Sequence, residues 1–343
     1  METWTLLDGS TPTALRAEVD SSGTLRAAPG QDVFGWHRSA PGWCRGDACI
    51  PSFRVADLET DDGLDVVGFA ALAGLVTAVD PETRTLATVP DAASRGRDLT
   101  GTVAPELTLP TLTGEPFALS SLLGTKVALV FWASWCGCRY DLGAWQERHA
   151  AWASAGFTVV TIALDADRAS AAPWHAEAGT THPALVDVDG VAADAFDIVN
   201  VPTVVWLDED GRIVRPQDSQ TATDRFRDWN HLSADASAEA LRRWVVNGDP
   251  GLTLDQVREH LRLPSDDDQR ARAETRLASW LATNGHADAA ERHFAAAADA
   301  APHNVALRRS AMPQRGIDPF GDEYFRLAGE LAEAGVPLHR PLT

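Results

Sequence analysis

Between residues 102 and 247, short runs of apolar and β-branched residues alternate with longer stretches whose apolar positions recur at helical spacing. The runs Val127–Trp132, Thr158–Leu164, Ala184–Val186, Thr203–Leu207 and Arg212–Val214 predict strands, the first of them apolar enough to be covered on both faces. Helices are expected in the gaps, over about 138–155, 168–178, 190–197 and 236–246. This alternation is the pattern of an α/β layer fold. Residues 1–95 read differently. They hold short β-like pieces, a loop from Gly35 to Phe53, and the apolar run Val66–Val79 ("VVGFAALAGLVTAV"), read as a buried helix because it is too short to cross a bilayer. The stretch Pro90–Gly101, small and polar with arginines, reads as a linker. After Asn247–Leu252 the chain becomes rich in alanine and arginine and helical in pattern.

The expected organisation is therefore an N-terminal α/β module (1–95), an α/β domain (102–247) and an all-α extension (248–343). Within the extension, Leu277, Ala278 and Leu281, followed by Gly285, Ala290, Phe294, Ala297 and Pro302, fall at spacings similar to those of a tetratricopeptide repeat. One such unit implies either a helical hairpin packed on the second region or part of a surface for a protein partner.

The 343 residues carry 29 Lys and Arg against 49 Asp and Glu, a net charge of -20, and Lys126 is the sole lysine. That balance repels nucleic-acid phosphates and anionic membrane surfaces, so neither is expected as a partner. The first twenty residues have no basic segment followed by an apolar one, and a cytoplasmic location is the expectation. A reducing compartment argues against structural bridges. Yet the four cysteines fall into two pairs, Cys44 with Cys49 and Cys136 with Cys138.

The second pair lies in "WASWCGCRYD", where an apolar strand ends and a helix is expected to begin. A thiol at a helix N-terminus feels the positive end of the macrodipole, which favours the thiolate, so Cys136 is placed to act as a nucleophile. The segment "APELTLPTLTGEPFALSSLLGTKVALVFWASWCGCRYDL" resembles the entry of TlpA/ResA-type thioredoxin-like proteins. Further on, "FDIVNVPTVVWLDEDGRIV" is similar to that family's second hallmark, a loop with a cis-proline and the hairpin after it. The resemblance spans roughly 104–247. It implies a thioredoxin-like fold and thiol-disulfide exchange without an organic cofactor or metal. It also implies a cis Pro202, a Val201 backbone that docks an extended substrate across from the cysteines, and Trp135 shielding one side. A likeness to ResA-like proteins with selenocysteine at the position of Cys136 points to the same nucleophile. Substrates and donors would be protein or low-molecular-weight thiols and disulfides.

The sequence departs from that family in three places. One residue is missing between the cysteines. Val130 stands where thioredoxin buries an aspartate, leaving Asp165 at the next strand's end as the candidate proton acceptor. Gly143 replaces a helix-kinking proline. Inside a regular helix, residues i and i+2 project about 200° apart and cannot bridge. If Cys136 stays ahead of the first turn, Gly137 lets the Cα atoms come within bridging range. Three readings stay open. Cys138 resolves a mixed disulfide on Cys136; Cys136 acts alone or is resolved by Cys44 or Cys49, whose Arg45 favours a thiolate, in a redox sensor or partner-binding protein; or the pair holds a soft metal such as Cu(I) or Zn(II). Within the resemblance, proline at position 202 argues against metal coordination. No phosphate loop, nucleophile elbow or H-E-x-x-H is present, and Ala133 stands where a peroxiredoxin places threonine.

Overall fold

The computed structural model describes residues 1–9 and 11–342, and the chain divides into two compact units. The first comprises residues 1–94 and 265–301. In it, β1 (Glu2–Leu7), β2 (Thr13–Val19) and β3 (Leu25–Ala27) alternate buried and exposed side chains, so Trp4 and Leu6 of β1 share a core with Leu15 and Ala17 of β2. Residues 35–53 are more ordered than a loop. They form a small antiparallel sheet, β4 (His37–Ser39), β5 (Gly42–Arg45) and β6 (Ala48–Pro51), followed by a short helix α1 (Ser52–Val55).

After β7 (Glu59–Thr60) and β8 (Gly63–Asp65), the apolar run at 66–79 is not one helix. It is α2 (Val66–Leu72) and then most of β9 (Leu75–Asp80). Asp65 caps the helix by accepting from Gly68 N–H at 3.0 Å, and Gly74, in left-handed conformation at φ +74°, turns the chain out of it. The β-branched residues beyond, Val76, Thr77 and Val79, pair antiparallel with β10 (Thr85–Pro90). The sheet runs β7-β8-β3-β2-β1-β10-β9.

The expected linker is also structured. Asp91 accepts from Ser94 N–H at 2.7 Å and starts α3 (Ala92–Thr100), which buries Leu99. From Arg95 the chain enters the second unit, residues 95–264 and 302–342. The hairpin β11 (Thr108–Pro110) and β12 (Pro116–Ala118) leads to β13 (Lys126–Trp132), which sits at the centre of a five-stranded sheet. After it come α4 (Leu142–Trp152), β14 (Phe157–Ala163), α5 (Arg168–Ala178), β15 (Ala184–Val186), α6 (Val191–Ala195), β16 (Thr203–Leu207) and β17 (Ile213–Asp218). The strand order is β15-β14-β13-β16-β17, parallel on the β14 side of β13 and antiparallel on the β16 side. Val127, Leu129 and Phe131 point into one core, while Ala128 and Val130 point into another built on Trp145, Trp206 and Trp244. Burial on both faces explains the uninterrupted apolar run.

A segment of fifteen residues, 219–233, separates β17 from the next long helix, and contains only the short α7 (Arg227–Asn230). The chain continues through α8 (Ala234–Asn247) and α9 (Leu254–His260). The region beyond 248 is not a single extension. The hairpin α10 (Asp266–Thr283) and α11 (Ala287–Ala300) belongs to the first unit, not to a continuous C-terminal extension. Arg276 donates to the Thr88 carbonyl at 3.0 Å, Gln269 to that of Pro90 at 2.6 Å, and Arg292 and His293 meet Asp80. Leu277, Ala278, Leu281, Ala290, Phe294 and Ala297, singled out by their spacing, are all buried. The last helices, α12 (Val305–Gln314) and α13 (Asp322–Glu333), return to the second unit.

Candidate active site

The strand β13 ends at Trp132, and the loop Ala133–Trp135 carries the chain to Cys136, whose backbone is extended at φ -114° and ψ 143°. A tight turn of 3₁₀ helix, Gly137–Asp141, follows and runs into α4. Cys136 thus stays outside the helix while Cys138 lies in its first turn. Their Cα atoms are 5.2 Å apart and the two sulfurs are bonded. The Cys138 N–H donates to Cys136 Sγ at 3.2 Å, so the first turn supplies a hydrogen bond to the sulfur as well as a favourable dipole. Across from it, the Val201–Pro202 peptide is cis, and the Val201 carbonyl oxygen lies 3.6 Å from Cys136 Sγ. Thr203 Oγ1 donates to the Asn200 carbonyl at 2.8 Å and fixes this loop. Cys136, Cys138, Val201 and Pro202 therefore meet at one place.

Residues 100–215 match the AhpC/TSA family. The thioredoxin-like protein YneN of Bacillus subtilis is 36% identical over 117 residues, a third (33%) of this chain and 68% of that protein. The chain belongs to the thioredoxin-like AhpC/TSA family. The thiol-disulfide oxidoreductase ResA of Bacillus subtilis is 24% identical over 133 residues, covering 38% of this chain and 74% of the relative. A crystal structure of a putative thiol:disulfide interchange protein DsbE from Chlorobium tepidum shares 27% identity, covering 43% of this chain and 96% of that one at a TM-score of 0.36.

In this family member, the other residues expected at the site lie around the cysteines in different roles. Trp135 is buried, its indole N–H donating to the Leu164 carbonyl at 3.1 Å, so it forms part of the wall behind Cys136. Asp165 accepts from the Ser134 backbone N–H at 3.0 Å and the Ser134 hydroxyl at 2.5 Å. Burial outweighs these hydrogen bonds and pushes its carboxyl up to about 6. Asp165 thereby ties the end of β14 to the loop two residues ahead of Cys136. Cys44 and Cys49 face each other across β5 and β6, with Cα atoms 4.1 Å apart, and are bonded to each other. Each cysteine pair is thus closed on itself, and the structure does not pair Cys136 with the rival resolver. Among the described residues, no group of three or more His, Cys, Asp or Glu side chains is arranged to hold a metal ion, and no helix is long and apolar enough to cross a membrane.

Three residues were missed by sequence reasoning. Asp141, buried at the end of the first turn, accepts from the Thr221 hydroxyl at 2.7 Å, Ala222 N–H at 2.9 Å and the Thr223 hydroxyl at 2.5 Å. Phe226, three residues past Thr223, lays its ring against Gly137, where a Cβ would come within 2.8 Å of it. Arg309 of α12 donates to the Trp135 carbonyl at 2.6 Å and to that of Pro319 at 2.9 Å. The available signal was length, since fifteen residues between β17 and α8 exceed an ordinary connection.

Proposed function

We propose that the protein is a thiol-disulfide oxidoreductase in which Cys136 is the nucleophile and Cys138 the resolving cysteine. The observation that carries this is the bond between the two sulfurs at the mouth of the helix, opposite the cis Val201–Pro202 peptide. In the reduced protein, the Cys136 thiolate attacks one sulfur of a disulfide, forming a mixed disulfide and expelling the first thiolate. The Cys138 thiolate then attacks Cys136 Sγ, which closes the internal bridge and releases the second. Two protein thiols are oxidised and one disulfide is reduced to two thiols; run in reverse, the bridge oxidises two thiols. The Cys138 N–H stabilises negative charge on Cys136 Sγ, so Cys136 is the better attacking and leaving sulfur.

The names of the relatives YneN and ResA, as a thioredoxin-like protein and a thiol-disulfide oxidoreductase, support this reading. Asp165 is assigned a positioning role through Ser134. The test is a single turnover of pre-reduced protein with bis(2-hydroxyethyl) disulfide, followed by mass spectrometry. The expected product is a Cys136–Cys138 bridge with two thiols released for each such bridge formed, absent in Cys136→Ser. Equal oxidation of wild type and Cys136→Ser would overturn the proposal.

A further inference from the structure

The sulfurs sit beneath parts of the chain that come from outside the segment carrying them. Cys136 is 5% exposed and Cys138 7%, while Val201, the residue that would pair with an extended substrate, is 2% exposed. Two elements cover them. The first is the 219–233 segment, fixed to Asp141 through Thr221, Ala222 and Thr223, which presses the Phe226 ring onto Gly137 between the two cysteines.

The second is the return of the chain after Pro302. The Ala306 N–H donates to the Val199 carbonyl at 2.8 Å, and the Asn200 side-chain amide donates to the Leu338 carbonyl at 2.5 Å. The two residues ahead of Val201–Pro202 are therefore already engaged, one through its backbone, by the protein's own C-terminal segment. Arg309 fastens that segment to the carbonyl of Trp135, next to Cys136. Its far end is fixed as well, by Ser219 N–H to the Arg340 carbonyl at 3.1 Å and Leu342 N–H to Asp218 at 2.7 Å. Four of these are buried hydrogen bonds, those of Asp141 with Thr221 and Ala222, of Arg309 with Trp135 and of Leu342 with Asp218, so the cover is part of the folded unit.

An extended peptide needs an accessible backbone edge beside the cis-proline, and here Val201 is buried with Val199 and Asn200 ahead of it already engaged. A small disulfide needs only a line of approach to one sulfur. We infer that this site exchanges with low-molecular-weight disulfides and thiols and excludes disulfides held in folded proteins, with the 219–233 segment and the 302–342 segment setting that choice. The inference rests on the exchange chemistry proposed above, and the steps and products are unchanged.

The test compares reduced full-length protein with two probes, bis(2-hydroxyethyl) disulfide and insulin, each rate divided by that of dithiothreitol with the same probe. The expected preference for the small disulfide is at least ~100-fold, as steric exclusion from a closed site allows. Phe226→Ala and Arg309→Met, which loosen one cover each, should raise the insulin rate about tenfold or more while leaving the small-disulfide rate within about threefold. Near-equal normalised rates in the wild type would overturn the inference and leave the exchange chemistry standing. A preference that neither variant changes would also overturn it, since the two segments would not be its cause. Reaction with neither probe would instead remove the exchange reading itself.

Discussion

The two bridged cysteine pairs differ in almost everything except their chemistry. Cys44 and Cys49 join neighbouring strands of a tight hairpin, with Cys44 buried, Cys49 exposed, and a Ser39 hydroxyl 3.1 Å from the Cys44 sulfur. Their bridge closes a turn that strand pairing already defines. Cys136 and Cys138 join a loop to the first turn of a helix, with a backbone N–H aimed at one sulfur and a cis-proline loop opposite. Spacing alone would rank the five-residue separation as the easier bridge and the two-residue one as the anomaly. The surroundings reverse that ranking for function, because the second pair has a sulfur held outside a helix's first turn with a backbone N–H aimed at it, and a cis-proline loop opposite.

The largest effect that would sharpen this contrast comes from removing cysteines at each site in turn. Cys136→Ser should lower the rate of disulfide reduction by about 10³-fold, as loss of a nucleophile does. The Cys44→Ser, Cys49→Ser double variant should stay within about twofold, as an independent site does. A comparable loss in both would erase the distinction.

The next test acts on the wall. Gly137→Val drives a side chain into the Phe226 ring, and overpacking of that kind costs about 2 kcal/mol, read as a lower urea midpoint. Adding Phe226→Ala should recover about half of that, the signature of two residues in contact. At the hairpin the expected change is in stability alone. Breaking Cys44–Cys49 releases a short loop worth about 2 kcal/mol in chain entropy, with turnover unaffected.

The smallest effect lies behind the active-site strand, in His175 and His182, which burial holds down to about 4. Both are neutral in the folded protein, so their contribution to stability is present above pH 6.5 and is lost as the pH falls through about 4. Asp165 works the other way: with its carboxyl raised to about 6, its contribution is present below pH 3.8 and is lost as the pH rises through about 6. His182→Gln should therefore flatten the acid side of a Tm-against-pH curve, and Asp165→Asn should remove the loss that accompanies rising pH. Unchanged curves would mean that these groups titrate normally.

Much of the central sheet was legible in the sequence because its period and burial coincide. Val127–Trp132 reads as a strand and is one, and Ala184–Val186 and Thr203–Leu207 have the expected bounds. The reading failed where one short residue decided between elements. Gly74 splits the apolar run at 66–79 into helix and strand, and Asp91 turns an expected linker into α3. Cys136 and Pro202 were legible because a local motif carries them. Asp141, Phe226 and Arg309 were not, since each acts through a partner 80 or more residues away, as in the Asp141–Thr221 bond across 80 residues and the Arg309–Trp135 bond across 174. The fate of 265–301 and 302–342 was hidden for the same reason, because helical periodicity identifies an apolar face without identifying what it meets.

The central claim is that exchange begins at Cys136 and is completed by Cys138. Replacing the resolving cysteine should arrest the reaction halfway, so the direct measurement is peptide mapping of reduced Cys138→Ser after exposure to bis(2-hydroxyethyl) disulfide. A stable mercaptoethanol adduct on Cys136, with Cys44 and Cys49 unmodified or joined to each other, is the predicted result. An adduct confined to Cys44 or Cys49, or a bridge from either of them to Cys136, would contradict it.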